Sequence, residues 1–560
     1  MADGLRKGLT SYGDAGFSLF LRKAFIKAMG YSDDALDRPI VGITNTYSDY
    51  NPCHGNVPQI IEAVKRGVML SGAMPFEFPT ISIAESFAHP TSMYLRNLMA
   101  MDTEEMIRAQ PMDAVIVIGG CDKTLPAQIM AAVSADLPTV VIPVGPMVVG
   151  HHKGEVLGAC TDCRRLWGKY RAGEIDDQEI EAVNGRLAPS VGTCMVMGTA
   201  STMACLIEAL GICLPGTAAI PAVHADRLRA AEASGVAAVK LIGSKLKPSQ
   251  LINEKSVENA LRVLLALGGS TNAVIHLTAI AGRAGVKVSL EHLNKLSDST
   301  PVLVNLKPVG NGYMEDFCAA GGMGALLREL KPLLHLDCMT ITGETLGERL
   351  AHDADFVDRA IIAPFDRPLE GEGGLVALFG NLAPKGAILK RSAADAKLFE
   401  HEGRAVVFSS LADLAARIDD PALEVEAADI LVLQNAGPHS PAAMPEAGYL
   451  PIPRKLAQRG VKDMIRISDA RMSGTAFGTI VLHVTPDAAS GGPLGLVRNG
   501  DRIRLSVKRR RIELLIDDAE LQKRARVASH TPQIPQRGYA KLFAEQILGA
   551  DEGCDFGFLR

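Results

Sequence analysis

Three short runs, Pro39–Asn45 (PIVGITN), Ala114–Gly119 (AVIVIG) and Thr139–Val144 (TVVIPV), are apolar from end to end, with no alternation of polar and apolar residues. A strand with no polar face is covered on both sides, which is the habit of parallel sheets packed between helices. Amphipathic stretches lie between the runs. Val57–Met69 puts Ile60, Ile61, Val64 and Val68 on one face, and Thr124–Val133 opens with a Thr and a nearby Pro, a helix start. Thr199–Leu210 and Ser270–Ala281 read as further buried helices. The pattern predicts an α/β chain whose N-terminal part is a three-layer α/β/α domain around a mainly parallel sheet.

The texture changes near Leu369–Gly374 (LEGEGG). Beyond it come short β-like runs at Leu375–Phe379, Ala405–Phe408, Ile430–Leu433, Thr479–Val484, Arg502–Val507 and Arg511–Ile516. Many short strands separated by turn residues favour a barrel-like module. The expected division is residues 1–372 for the α/β domain and 373–560 for a mixed β-barrel-like domain flanked by helices, with Lys508–Arg511 (KRRR) as a solvated hairpin turn.

Composition narrows the function classes. In 560 residues, 47% are hydrophobic and 22% charged, so a disordered chain is excluded. A net charge of −5, one Trp and 5% aromatics lack the basic face or stacking platform of a nucleic-acid binder. The longest apolar stretch, Thr139–Gly150, holds two prolines and falls short of the roughly 18 residues a membrane span needs. Met1 to Asp14 has no apolar h-region, and ten cysteines are too sparse for a disulfide scaffold. The expectation is a soluble cytoplasmic protein with no nucleic-acid or membrane partner.

Four loops carry reactive residues next to strand or helix ends, where α/β folds bind ligands. They are Ser48–Asn56 (SDYNPCHGN), Gly119–Thr124 (GGCDKT), Gly192–Thr199 (GTCMVMGT) and Asp469–Thr475 (DARMSGT). Three hold one cysteine each: Cys53, Cys121 and Cys194. Singly, each reads as a small buried hydrophobe; together, beside Gly or Pro, they suggest thiolate ligands of an iron–sulfur cluster with one iron position left open. The compact pair Cys160-Thr161-Asp162-Cys163 is a rival metal or redox candidate, with Arg164 and Arg165 placed to lower a thiol pKa, but it reads as incidental because no second CxxC or His pair accompanies it. Cys205 and Cys213 read as core.

Acidic residues form a second candidate set. Glu85 follows the strand-like Thr80–Ile83, Asp122 adjoins Cys121, and Glu446 lies in MPEAG. A few carboxylates suit a hard divalent cation, although each could equally be a solvated carboxylate with Lys123 as the salt-bridge partner of Asp122. Ser473, between Arg471 and Gly474, is the best nucleophile or base. No G-x-S-x-G elbow, Walker A pattern or dinucleotide fingerprint is present.

In order along the chain, NPCHGN, GGCDKTLPAQIMAA, GTCMVMGTASTMA, GGSTNAVIHL, GNLAPKGAILK and DARMSGTAFG resemble the dihydroxy-acid, phosphogluconate and sugar-acid dehydratase family. The resemblance spans about Pro39 to Gly500. SDYNPC and Ala84–Pro90 (AESFAHP) are most similar to the sugar-acid (aldonate) branch, such as the arabinonate or xylonate dehydratases. It departs in His54, where Asn is common, and in the loop Pro438–Met444.

The resemblance implies a [2Fe–2S] cluster on Cys53, Cys121 and Cys194, and Mg²⁺ near Glu85, Asp122 and Glu446, with Lys123 as a carbamylated metal ligand. It also implies Ser473 as the catalytic base, Thr475 as a substrate-binding residue, and a homodimer or homotetramer. The implied reaction turns a 2,3-dihydroxy acid, most readily a sugar acid, into a 2-keto-3-deoxy acid plus water. Mg²⁺ would grip the carboxylate and C2 hydroxyl, the open iron the C3 hydroxyl, and Ser473 would take the C2 proton at a site between the domains. The alternatives are a branched-chain dihydroxy-acid dehydratase, an iron–sulfur electron-transfer or sensor protein, and a metal-dependent hydrolase or aldolase using only the carboxylates and Lys123.

Overall fold

The structure, a computed structural model, describes residues 3–352, 356–527 and 534–560. The first sheet contains β1 (Ile40–Asn45), β2 (Met74–Pro79), β3 (Ala114–Gly119) and β4 (Thr139–Pro143), in the order β2-β1-β3-β4 with every pair parallel. The apolar runs are therefore strands, and β3 is buried along its whole length. One strand differs from the sequence expectation: it is Met74–Pro79, whose mixed pattern MPFEFP suits the exposed edge, whereas Thr80–Ile83 is irregular chain leading to a 3-10 turn at Glu85–Phe87.

From β1 the chain steps outward to β2, and from β3 it steps the other way to β4. Right-handed crossovers then put the intervening helices on opposite faces. Val57–Leu70 packs against Ala225–Leu241, and Ser92–Ala109 against Thr124–Ala135, which gives the sheet its two covering layers. Strand order reverses between β1 and β3, so the loops leaving their C-terminal ends, residues 46–56 and 120–123, diverge around a crevice. A small antiparallel hairpin follows, β5 (Gly150–His152) and β6 (Glu155–Leu157).

The second sheet contains β7 (Val376–Leu378), β8 (Gly386–Leu389), β9 (Glu400–Phe408), β10 (Ile430–Leu433), β11 (Arg466–Ser468), β12 (Ile480–Thr485), β13 (Arg502–Ser506) and β14 (Arg511–Leu514). Its order is β14-β13-β9-β10-β11-β12-β8-β7. The central β9-β10-β11-β12 ladder is parallel and the flanking pairs are antiparallel. Just past β7, Phe379 donates to Arg510 O (2.9 Å) and accepts from Ile512 N–H (2.9 Å), which brings the two edges together into a nearly closed, barrel-like sheet. Side-chain alternation then sorts the core. Val407, Val432 and Ile503 share one cluster, while Phe408, Leu431 and Leu433 pack in another with Leu414 and Ile418 of the flanking Leu411–Ile418 segment. A turn joins β13 to β14 where the sequence places one, but it spans Val507–Arg510 rather than Lys508–Arg511, and Arg511 opens β14.

Among the described residues no helix is long and apolar enough to cross a membrane. The C-terminal segment returns to the helices around the first sheet. Asp555 accepts from Arg283 Nε (2.9 Å) and Nη2 (3.0 Å), both side chains being fully buried. Arg96 caps the carbonyls of Gly553 and Cys554 at 2.9 and 2.7 Å. Phe543 and Phe556 close over Ile275 and Met444, behind the loop that carries Glu446. Removing one member of a buried, hydrogen-bonded pair leaves the other charge without its partner. Asp555→Ala should therefore lower unfolding free energy by about 3 kcal/mol in a urea titration, and a loss below about 1 kcal/mol would show that this latch carries no weight.

Candidate active site

Both halves present the C-terminal ends of parallel strands to one place, and a buried guanidinium occupies it. Arg471 lies in the loop after β11, which is pinned by Asp469: its carboxylate accepts from Ala436 N–H (3.0 Å) and Ala488 N–H (2.9 Å). Arg471 donates from Nη1 to Glu446 Oε1 (2.7 Å) and from Nη2 to Glu85 Oε2 (2.7 Å), with Asp122 Oδ2 at 3.6 Å. Its Nε is fixed by Met444 O at 2.9 Å. Glu85 comes from the turn that follows β2 and Glu446 from the loop after β10, so one cation ties the two sheets together.

The surroundings set opposite tendencies on the two glutamates. Burial alone would raise Glu85, but Arg471, then Lys123, and hydrogen bonds from Ser92 and Thr91 outweigh it and hold the carboxyl at about 2. Glu446 goes the other way, because burial, helped by Asp122 and Glu85, outweighs Arg471. Lys123 is fully buried and donates to Asp122. These three carboxylates thus face Arg471 and Lys123, with Arg164 Nη2 3.8 Å from Glu446 Oε2 as a third cation. Among the described residues no three His, Cys, Asp or Glu side chains converge as a ready-made single-ion site; the carboxylates converge on Arg471 instead.

The thiols gather beside this network, and all ten cysteines are free. Hydrogen bonding to Cys53 and burial push the Cys121 thiol well above the ordinary range, and Cys194 is raised by Cys160 and burial, with Cys53 and Cys121 adding to it. His54 organises the second loop. Its Nε2 accepts from both Gly120 N–H and Cys121 N–H (3.0 Å each), so the ring proton sits on Nδ1, facing Thr46 O at 2.9 Å. Burial holds His54 neutral, with its pKa at about 4. The third loop is tied to the end of β4 by Thr193 N–H to Gly145 O (2.9 Å) and Met147 N–H to Thr193 O (2.8 Å).

Ser473 Oγ and Thr475 Oγ1 are 2.8 Å apart, and Arg164 Nη1 donates to Thr475 Oγ1 at 3.0 Å. Thr161 Oγ1 donates to Thr475 O (3.0 Å), which anchors the helix Thr161–Ala172 to the serine loop. Gly474 is obligatory on space alone: a Cβ there would meet Thr199 N at 2.6 Å and Ser270 Oγ at 2.7 Å. Lys390, fully buried, donates to Gly474 O at 3.3 Å.

All the residues singled out in the sequence lie in these loops, and the structure adds four that motif reading passed over. Arg471 was visible only as a neighbour of Ser473; a charged residue in a loop between two apolar strands was the available signal. Arg164 and Cys160 belong to the CxxC segment that read as incidental, yet Cys160 Sγ lies 3.0 Å from Cys194 Sγ. That contact joins residues 34 positions apart, so spacing could not reveal it. Lys390 stood in a family motif without a role.

Burial pulls Lys390 to about 7, well below an unfolded lysine near 10.5. Between these values the unfolded chain binds a proton that the folded chain does not, so stability rises with pH across this window, by something on the order of 5 kcal/mol in full. The melting temperature of the wild-type chain should therefore rise between pH 7 and 10, and Lys390→Met should flatten that rise. An unchanged slope would remove Lys390 as its source.

Two family descriptions cover most of the chain: Dihydroxy-acid/6-phosphogluconate dehydratase N-terminal matches residues 38–349, and the corresponding C-terminal description matches residues 360–554. The chain is 46% identical to the L-arabonate dehydratase of Azospirillum brasilense, over 96% of this chain and 94% of that protein. It is 45% identical to the 6-deoxy-6-sulfo-D-gluconate dehydratase of Pseudomonas putida (94% and 92%) and 39% identical to a dihydroxy-acid dehydratase of Pyrococcus abyssi (95% and 97%). With both halves matched in order, and with full-length relatives on the sugar-acid side at the higher identities, the chain belongs to the dihydroxy-acid/6-phosphogluconate dehydratase family of hydro-lyases, on its sugar-acid branch.

Proposed function

We propose that this chain dehydrates a sugar acid to the 2-keto-3-deoxy acid, with Ser473 as the base that takes the C2 proton. The observation that carries this reading is the pairing of Arg471 with Glu85 and Glu446 at 2.7 Å each, directly beside the Ser473–Thr475 pair. It gathers a carboxylate cluster, thiols and a hydroxyl base from both halves around one small volume.

The residues suit the cofactors that the family implies. Cys53 raises the Cys121 thiol and both raise that of Cys194, so the three stand near enough to one another for a shared [2Fe–2S] cluster. Glu85, Asp122 and Glu446 offer the hard oxygens Mg²⁺ prefers. Arg471, Lys123 and Arg164, which lies 3.8 Å from Glu446, already offset those three charges, so a divalent ion is better matched once Lys123 is carbamylated and becomes an anionic oxygen donor. When bound, these groups would supply Lewis acidity to oxygens on adjacent substrate carbons.

The chain's own residues prepare the proton transfer. Arg164 donates to Thr475 Oγ1, leaving the Thr475 proton free to point at Ser473 Oγ. A donated hydrogen bond and a nearby cation both favour the alkoxide form of Ser473, which a solvated serine would not reach at neutral pH. Arg471 keeps Glu85 and Glu446 apart and oriented, and Lys390 with the tightly enclosed Gly474 fixes the turn that aims Ser473. The C2 proton passes to Ser473 Oγ and leaves with the C3 hydroxyl as water; the resulting enol tautomerises by moving its hydroxyl proton to C3. Relatives named for arabonate and sulfogluconate support a polyhydroxylated acid over a branched-chain one as substrate.

A panel of aldonates and branched dihydroxy acids, assayed for 2-keto acid with anaerobically purified protein, tests the reading; turnover of branched-chain acids alone would reassign the substrate. Ser473→Ala should lower kcat by at least about 10³-fold while the visible absorbance of the protein persists. Arg164→Gln should lower kcat about 10-fold to 100-fold and move the rising limb of the kcat/KM profile to higher pH, because the base loses the cation that favours its ionised form. An unmoved limb would mean that Arg164 does not act through Ser473.

A further inference from the structure

Cys160 belongs to the CxxC pair that reads as incidental in the sequence, and the proposed chemistry gives it no task. Its Sγ lies 3.0 Å from Cys194 Sγ, closer than any packing requirement would bring two sulfurs. Cys194 in turn lies within electrostatic reach of Cys53 and Cys121, so four thiols share one pocket.

Cys160 is held there against its own backbone preference. Its φ of +75° is a conformation that residues with a Cβ rarely adopt and that persists only where the surroundings enforce it. The enforcing contacts are its N–H to Cys163 Sγ (3.1 Å), its carbonyl to Arg164 Nη1 (2.9 Å), and Gly158 N–H to Asp162 Oδ2 (2.7 Å). It is also the N-cap of the 12-residue helix Thr161–Ala172, whose residue Arg164 bonds its carbonyl, so the helix start fixes where the sulfur stands. Thr161 ties the same turn to Thr475, so the thiol lies between the other cysteines and the serine loop.

Resting on the cluster reading above, we infer that Cys160 is a fourth thiolate ligand of the iron–sulfur site in the substrate-free protein, filling the iron position that the three family cysteines leave open. A cluster held by four thiolates would be less exposed to solvent and oxygen; on substrate binding Cys160 would withdraw as the thiolate, keeping its electron pair, and leave its position to a substrate oxygen with no change of oxidation state.

The test uses the whole chain, purified anaerobically. Iodoacetamide labelling read by peptide mass spectrometry should leave Cys160 protected together with Cys53, Cys121 and Cys194 while iron is bound, and should modify Cys160 after chelation of the iron; Cys163 serves as the internal comparison. Cys160→Ser, with Cys163→Ser as control, should change the electron paramagnetic resonance spectrum of the dithionite-reduced protein and speed iron loss to a chelator by about tenfold or more, whereas the control should match wild type. Ready labelling of Cys160 in the iron-loaded protein, or an unchanged spectrum and loss rate in Cys160→Ser, would overturn the inference while leaving the dehydratase reading intact. Wild-type protein that binds no iron would instead overturn the cluster reading, and this inference with it. Should Cys160→Ser fold poorly, the labelling of the wild-type chain decides alone.

Discussion

A single buried guanidinium holds this molecule's two sheets to a common purpose. Arg471 is fully enclosed, and its partners Glu85 and Glu446 are 386 and 25 positions away in sequence. Taking a guanidinium out of water is costly unless its donors are met, and here Nε, Nη1 and Nη2 all find acceptors. The same requirement that makes Arg471 tolerable in the interior fixes where the carboxylates stand. Structural satisfaction and site geometry are one set of bonds.

The secondary structure delivers those groups by a repeated device. In the first sheet the strand order reverses between β1 and β3, and the loops that leave them carry Cys53, Cys121, Asp122 and Lys123. In the second, β10 and β11 lie side by side and parallel, and their outgoing loops carry Glu446, Arg471 and Ser473. Parallel pairing sends consecutive loops out at the same end, so two unrelated sheets facing one another supply one site. Buried polar groups then lock each loop: His54 under Gly120 and Cys121, Asp469 under Ala436 and Ala488, Lys390 under Gly474.

Charge sorts the site into regions. The carboxylates are matched by Arg471 and Lys123, the hydroxyl pair Ser473–Thr475 faces Arg164, and the thiols occupy a drier pocket in which burial raises Cys121 and Cys194. A dihydroxy acid bears a carboxylate, an acidic C–H and a departing hydroxyl, three needs that such a division can meet separately. Arg164 contributes to two regions, since its side chain reaches Thr475 while also lying 3.8 Å from Glu446.

Much of the architecture was legible beforehand, because each sheet leaves a local signature. β3 and β4 read as unbroken Val/Ile runs, since both of their faces are buried, and the short strands beyond residue 375 announced a different kind of sheet. The edge strand β2 escaped, its mixed MPFEFP pattern giving no clear period, and so did β8, which opens on Gly386 directly after Pro384 and Lys385, residues that read as a turn. Local sequence also marked Cys53, Cys121, Cys194 and Ser473, because glycine and proline beside a reactive residue at a strand end are short-range features. What the tertiary structure alone decided is which of these groups meet: Arg471 between two glutamates, Arg164 on the serine pair, Cys160 against Cys194. Those contacts are between residues far apart along the chain, made by charge compensation and burial in a shared interior, and neither force has a period or a spacing that a linear sequence can display.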